Sequence, residues 1–398
     1  MFSPWGSVLS ERPLRLLHVR TMTSVEPGIE ATDPPEYNIL SFTWGRWKSD
    51  AERPIQVEGT NWKAPAVRPE HFSPEDFQRV LRAVSQDVDY VWVDIACINQ
   101  GRKDEDIAER MDQIGKQMGI FSGATKAYVW LSRSSKADLE ESLGEMYGYG
   151  QELIDQLSQI RETNEPLSTE EEQSILDLVE DNTQAFRSFC SDPWFSSLWT
   201  LQESVLRRDA IILSREGETL DDGGTVLSLA MVGNFYRNVL KTLNRHLVSQ
   251  HRFSSRIDQK ILDLRDELKS NVLAFMVCSN PNVAYSLAQH RTCERQEDQI
   301  YGIMQVYGLR LGKTDEPLNS FTLQELEDQF SCQLNQRSPV PAQMFVHLQT
   351  PRVGRSWQIT RESEVPAPLV SYEQQPREDC DCIVAINADM KAQIQGYA

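Results

Sequence analysis

Four short apolar runs rich in β-forming residues stand out along the chain: "YNILSFTWG" from Tyr37, "DYVWVDIAC" from Asp89, "KAYVWLS" from Lys126 and "AIILS" from Ala210. Helical patterns separate the first three. "SPEDFQRVLRAVSQ" opens with Ser73 as N-cap, Pro74 at the first helical position and Asp76 closing a capping box. Its apolar residues Phe77, Val80, Leu81 and Val84 fall on one helical face. After the second run, Ile107, Met111, Ile114, Met118 and Phe121 repeat at helical spacing. Strand, helix, strand, helix, strand implies right-handed crossovers and a parallel sheet. Runs that are nearly continuous in apolar residues fit strands covered on both faces.

Between the third and fourth runs lies a segment, 136–190, that reads as a helical insertion at the periphery of the sheet. In its second half Thr169 and Glu172 form a capping box, with Ile175, Val179 and Phe186 on one side. "PWFSSLWTLQESVL" then supplies the helix leading to the fourth strand. From about Gly217 the pattern becomes mostly helical. "SSRIDQKILDLRDELKSNVLAFMV" carries Ile257, Ile261, Leu264, Leu268, Val272 and Phe275 as an apolar stripe, and "TLQELEDQF" starts with Thr322 and Glu325 as its box. The last stretch, spotted with proline, reads as irregular, and no internal repeat is visible.

Composition narrows the class. With 398 residues, 40% of them hydrophobic, and nine tryptophans, the chain can bury a substantial core. Its net charge of −19 is uneven: Asp138 to Asp181 holds 14 acidic residues against one basic residue, Arg161, and so carries −13 by itself. That charge belongs to a solvated helical face, and a pI near 4.8 excludes nucleic acid as an electrostatic partner. No apolar run reaches the roughly 18 residues of a membrane span, and the first residues lack a signal-peptide pattern, so a cytoplasmic protein without membrane attachment is expected. Seven scattered cysteines, with Cys380 and Cys382 the only close pair, read as reduced thiols rather than a zinc site. His246 and His251, five apart, are an unconvincing metal pair.

In a parallel sheet, ligands sit outside the carboxyl ends of the strands. The first run ends in Phe42, Thr43, Trp44 and Gly45, where glycine permits close backbone approach, and the second in Asp94, Cys97, Asn99 and Gln100. These residues form the candidate binding edge, although each has a bland alternative: Asp94 as the cap of a turn, Asn99 as a loop tie, Cys97 as a buried thiol. No phosphate loop, dinucleotide fingerprint or nucleophile elbow is present. In "DPWFSSLWTLQESVL", Trp199 and Glu203 share one helical face while Leu198, Leu201 and Val205 take another, which frees Glu203 to face the strand ends. Glu203→Gln would then change stability little.

Taken in order, "YNILSFTWG", "VWVDIACINQ", "ERMDQIGKQMGIFSGATKAYVWLS" and "PWFSSLWTLQE" resemble the fungal heterokaryon incompatibility (HET) domain. "RLLHV" before the first strand and "DQIYGIMQVYGL" from Asp298 are similar to segments that accompany it. The resemblance covers about 37–213, giving a HET domain over 1–215 and a mostly helical C-terminal region over 216–398. The family usually has arginine where this chain has Ser197. With that serine, "SSLWTLQE" resembles the "S-x-W-C-x-x-E" stretch of Toll/interleukin-1 receptor (TIR) domains, which share the parallel sheet. The resemblance implies a TIR-like, flavodoxin-like α/β fold and a protein of programmed cell death and innate immunity. In TIR enzymes the glutamate of that stretch is required to cleave NAD+ at the nicotinamide–ribose bond, and the matching position here is Glu203. The implied reading is an NAD+ hydrolase with Glu203 catalytic and no cofactor beyond NAD+ as substrate. Phe42, Thr43, Trp44, Gly45, Asp94, Cys97, Asn99, Gln100 and Trp199 would bind the substrate. Self-association and a heterologous incompatibility partner are implied partners. The alternative is a non-enzymatic self-association module with a residual nucleotide pocket.

Overall fold

The computed structural model describes residues 11–27, 35–163, 167–248, 254–271, 273–275, 278, 280–370, 383–387 and 389–395. His251, Val272, Cys380 and Cys382 lie outside the described residues. The chain divides into two compact units that alternate along the sequence: Met1–Tyr128 with Ser197–Arg207 and Cys278–Ala398, and Val129–Ser196 with Arg208–Val277.

In chain order the elements that matter are β1 (Leu16–His18), β2 (Thr23–Val25), β3 (Tyr37–Ser41), α1 (Pro74–Val84), β4 (Tyr90–Trp92), α2 (Asp94–Cys97), α3 (Asp104–Ile114), α4 (Gln117–Gly123) and β5 (Ala127–Trp130). There follow α5 (Lys136–Thr163), α6 (Thr169–Phe189), α7 (Leu198–Leu206), β6 (Ile211–Leu213), α8 (Leu229–Val248), α9 (Ser255–Ser270), α10 (Pro281–Leu287), α11 (Asp298–Tyr301) and α12 (Leu323–Arg337).

The first unit is built on strands in the order β2-β1-β4-β3-β5. β3 and β4 are parallel, with Ile39 opposite Trp92. Thr125 donates to the Tyr37 carbonyl and Ile39 to the Lys126 carbonyl, so partners advance in step along the segments that join β3 to β5. The fold is α/β, but its sheet is mixed rather than wholly parallel. β1 runs antiparallel to both β4 and β2, pairing Leu17 with Val91 and Leu16 with Val25. "RLLHV" contributes only three residues to the ladder, too few for alternation to announce a strand. β3 is buried throughout, as expected of a strand covered on both faces, and Phe77, Val80, Leu81 and Val84 of α1 are buried as well. The Ser73–Asp76 capping box forms as the sequence predicts. The single stripe from Ile107 to Phe121 is instead two helices, α3 and α4, interrupted at Gly115–Lys116.

In the second unit β6 lies beside the end of β5, and Leu131 donates to the Leu213 carbonyl at 2.9 Å. The acidic segment forms α5 and α6, which pack with α8 and α9. Leu143, Met146, Leu153, Val179 and Phe186 are buried, as are Val232, Tyr236, Leu243, Ile257 and Ile261. Glu170, Glu171, Asp177, Glu180 and Asp181 remain exposed, so the charge is a solvated face over an apolar core. Gly150 is required there, because a Cβ would lie 2.7 Å from the Phe235 ring. The cap of α6 falls one residue earlier than predicted: Ser168 Oγ accepts from Glu171 N, and the Glu171 carboxylate accepts from Ser168 N at 2.8 Å. The Thr322–Glu325 box starts α12 as predicted. Among the described residues no helix is long and apolar enough to cross a membrane.

Candidate functional site

The carboxyl ends of β3 and β4 open onto a cleft of about 1370 Å³ that lies wholly within the first unit. Phe42, Thr43, Trp44, Gly45, Asp94, Gln100, Trp199 and Glu203 all line it. Ten residues were expected to form the site, and these eight are brought together. Cys97 and Asn99 are not. The "DYVWVDIAC" run leaves the strand after Trp92 and turns into α2, which carries the Cys97 thiol back toward the Val91 carbonyl, 3.8 Å away. Burial pushes that thiol up to about 12, so it is an inert core group. Asn99 is buried and ties its own loop: its Nδ2 donates to Asp106 Oδ1 at 3.1 Å, and its Oδ1 accepts from Gly101 N at 2.8 Å.

Glu203 reaches the cleft because α7 is fixed by everything except Glu203. Leu198 and Leu201 are fully buried. Gln202 donates to Gln117 Oε1 at 2.6 Å and accepts from Gln305 N at 3.0 Å. Arg207, just past the helix, donates to the carbonyls of Phe121 and Ala124 at 3.0 and 2.8 Å. At the other end Leu198 N donates to Thr292 O, and Arg291 donates to Ser197 O. The Glu203 carboxyl then meets the last residue of β3, whose Ser41 hydroxyl donates to Glu203 Oε2 at 2.5 Å. Burial is the main force on its acidity and pushes it from 4.5 to about 8; the Ser41 bond opposes this and the nearby Asp94 charge adds to it.

Asp94 does not order the "CINQGRKDED" loop as a whole. Its Oδ1 accepts from Ile95 N and its Oδ2 from Trp44 Nε1, both at 2.7 Å. The loop is ordered by Asp106, which takes Asn99 Nδ2 and Lys103 N. A Cβ on Gly101 would overlap the Asp106 carboxylate at 2.1 Å, which is why glycine stands there. Burial raises Asp94 to about 6 against the Trp44 and Ile95 bonds and the Lys48 charge. Trp199 forms a second pair of this kind, its indole donating to Asp298, itself raised to about 6 by burial. Two tryptophan rings are thus held by carboxylates around one cleft.

Ser41, Lys48, Arg110, Arg295 and Asp298 were not singled out from the sequence. Ser41 lies inside the quoted "YNILSFTWG", one residue before those chosen. Asp298 begins the "DQIYGIMQVYGL" segment, so its resemblance was the available signal. The wall from Thr292 to Asp298 contributes the Glu294 carboxylate, which would lie 3.1 Å from a Cβ on Gly45. A side chain at position 45 would make the Glu294 carboxylate shift by a few tenths of an ångström. Arg110 is anchored to the Asn99 and Gly101 carbonyls at 3.1 Å, and its acidity is shifted by burial and by the Arg295 charge beside it. Among the described residues no cluster of three or more His, Cys, Asp or Glu side chains is placed to hold a metal.

Residues 37–203 match the family model of the Heterokaryon incompatibility protein (HET). The matched span begins with the first residue of β3 and ends on Glu203. The chain is also similar to Heterokaryon incompatibility protein 6, OR allele, of Neurospora crassa, with 26% identity over 205 residues. That match covers 45% of this chain and 28% of the relative, so the chain spans less than a third of the curated protein it matches. No solved structure matches it.

Proposed function

We propose that this chain is a cytoplasmic cell-death protein of the heterokaryon incompatibility kind, that its cleft binds NAD+, and that Glu203 promotes hydrolysis of the nicotinamide–ribose bond. The incompatibility role is carried over from the HET span and from the name of the Neurospora relative. The observation that supports the chemistry is a half-buried carboxyl, Glu203, raised to about 8 in a cleft that also holds two indoles paired with carboxylates. Strand order supports a TIR-like, flavodoxin-like fold: β4, β3 and β5 lie as second, first and third of the four predicted runs, and β6 follows β5.

The reaction needs no acid, because nicotinamide departs neutral from a cationic pyridinium. The C1′–N bond breaks with its electron pair going to the ring nitrogen, a water oxygen bonds to C1′, and one proton is released. The transition state carries positive charge on the ribose. At neutral pH Glu203 holds its proton in the protein alone, and a pyridinium beside it favours the carboxylate, which then stabilises the ribosyl cation. Trp44 and Trp199 offer faces for the planar bases, and Arg110 and Arg295 offer cations for the diphosphate. The protein self-associates and meets a heterologous partner in this reading.

Purified protein incubated with NAD+ and assayed for free nicotinamide tests the proposal. Turnover is expected, and Glu203→Gln should reduce it by about two orders of magnitude, the effect of losing about 3 kcal/mol of charge stabilisation. Binding of NAD+ without nicotinamide release at any protein concentration refutes the hydrolase and leaves a nucleotide-binding signalling module.

A further inference from the structure

We propose that Trp44, held by Asp94, forms a subsite for a cationic heteroaromatic ring, and that the Lys48 ammonium occupies this subsite as an internal surrogate which such a ring displaces. The proposal takes its choice of ring from the NAD+ reading, but the subsite itself rests on geometry. The Lys48 Nζ lies over the Trp44 ring, 4.7 Å from its centroid, within cation–π range. The ring plane is fixed by the 2.7 Å bond from Trp44 Nε1 to Asp94 Oδ2. Both Lys48 and Trp44 line the cleft that contains Glu203.

The location selects for positive charge in two ways. The indole face presents the negative lobe of its quadrupole, and the acidic groups Asp94 and Glu203 act on the same space. Lys48 already stabilises the ionised form of Asp94, and the Asp94 charge opposes ionisation of Glu203, so a second cation has two carboxyls to answer it. A neutral ring gains the stacking but neither of these.

Displacement of Lys48 requires little. Its main chain is anchored, with Lys48 N donating to Gly45 O at 3.3 Å and a bridge to Val67. Its side chain is exposed and can move into water without disturbing the fold. Asp94 is a positioning residue in this arrangement: both of its oxygens are committed to protein donors, one of them the indole that the ligand would meet.

The test titrates the full chain with 1-methylnicotinamide, a permanent cation, and with nicotinamide, its neutral counterpart, by calorimetry or ligand-observed NMR. The parent should bind the cation more tightly than the neutral ring. Lys48→Met should tighten 1-methylnicotinamide about two- to fivefold, the size of an exposed cation–π contact, and tighten nicotinamide by less, because only the cation is also relieved of the ammonium's repulsion. Lys48→Arg should return the parent value, and Trp44→Leu should erase the preference. Equal affinity for the two rings in the parent, or weaker cation binding by Lys48→Met, overturns the proposal. Because Lys48 is at the surface, that result does not depend on whether Trp44→Leu folds. Neither probe has a ribose to cleave. A cation preference without NAD+ cleavage would therefore support the subsite while refuting the hydrolase, and cleavage without a preference would overturn the subsite alone.

Discussion

Glu203→Gln is expected to stabilise the protein, increasingly so as pH rises. The sequence led to an expectation of a nearly neutral substitution, and the depth of the carboxyl changes that. In the unfolded chain a glutamate ionises near its ordinary value of 4.5, whereas in the folded protein burial holds the Glu203 proton until about pH 8. Below 4.5 both states are protonated, and the folded state has its full advantage. Between 4.5 and 8 the folded state binds more protons than the unfolded one, so stability declines with rising pH, and above 8 the loss is complete. At about 1.36 kcal/mol per pH unit over that window the ceiling is about 5 kcal/mol. The cleft admits water and side chains relax around a charge, so about 2 kcal/mol is the working figure. Glutamine keeps an oxygen for the Ser41 hydroxyl and carries no charge at any pH. Thermal melts of the parent and Glu203→Gln at pH 5, 7 and 9 isolate the difference, because other titrating groups largely cancel. The variant should match the parent near pH 5 and melt about 4–8 °C higher at pH 9, the shift that about 2 kcal/mol gives a unit of this size. A difference that stays flat from pH 5 to 9 would refute the argument that Glu203 is held in a poorly solvated place.

Ser41→Ala removes a hydrogen bond that favours the ionised Glu203, so the rise of nicotinamide release with pH should move to higher pH in the rate profile. Asp94→Asn should weaken NAD+ binding more than it lowers the melting temperature, and should also lower the Glu203 pKa by removing a like charge; equal losses of binding and stability would make Asp94 merely structural. If association completes the site, nicotinamide release per molecule should climb with protein concentration, and constant specific activity across a hundredfold dilution would argue for a self-sufficient monomer. Ser73→Ala should cost about 1 kcal/mol by unmaking the cap of α1, seen as a lower melting temperature with the ligand affinities unchanged.

Local rules made the helices legible. Ser73, Pro74 and Asp76 announce α1, and Thr322 with Glu325 announces α12, because caps act through neighbours in sequence. The same rules placed β3 and β4 and put Trp44, Asp94 and Glu203 at one edge. Cys97 and Asn99 misled because their direction depends on a single event after Trp92, where the chain turns into α2 and alternation along a strand ceases to apply. The mixed sheet was hidden in three residues, Leu16 to His18, whose pairing with β4 is a long-range choice. The wall from Thr292 to Asp298 is nearly ninety residues from Glu203 in sequence, and no periodicity connects such segments. Family likeness was the only signal for Asp298, and nothing pointed to Lys48 or Arg295.

That distant wall also limits how portable the domain is. The HET span closes at Glu203, yet one side of the cleft comes from Thr292 to Asp298 and from Tyr301, Lys313, Ser320 and Phe321. A fragment cut at the family boundary would keep the glutamate, the serine beside it and Trp44, and would lose the partner of Trp199. The span 37–203 taken alone is therefore an unfinished pocket, and whichever sequence follows it supplies the missing side. Substitutions between Thr292 and Phe321 can therefore change what the cleft admits while residues 37–203 stay unchanged.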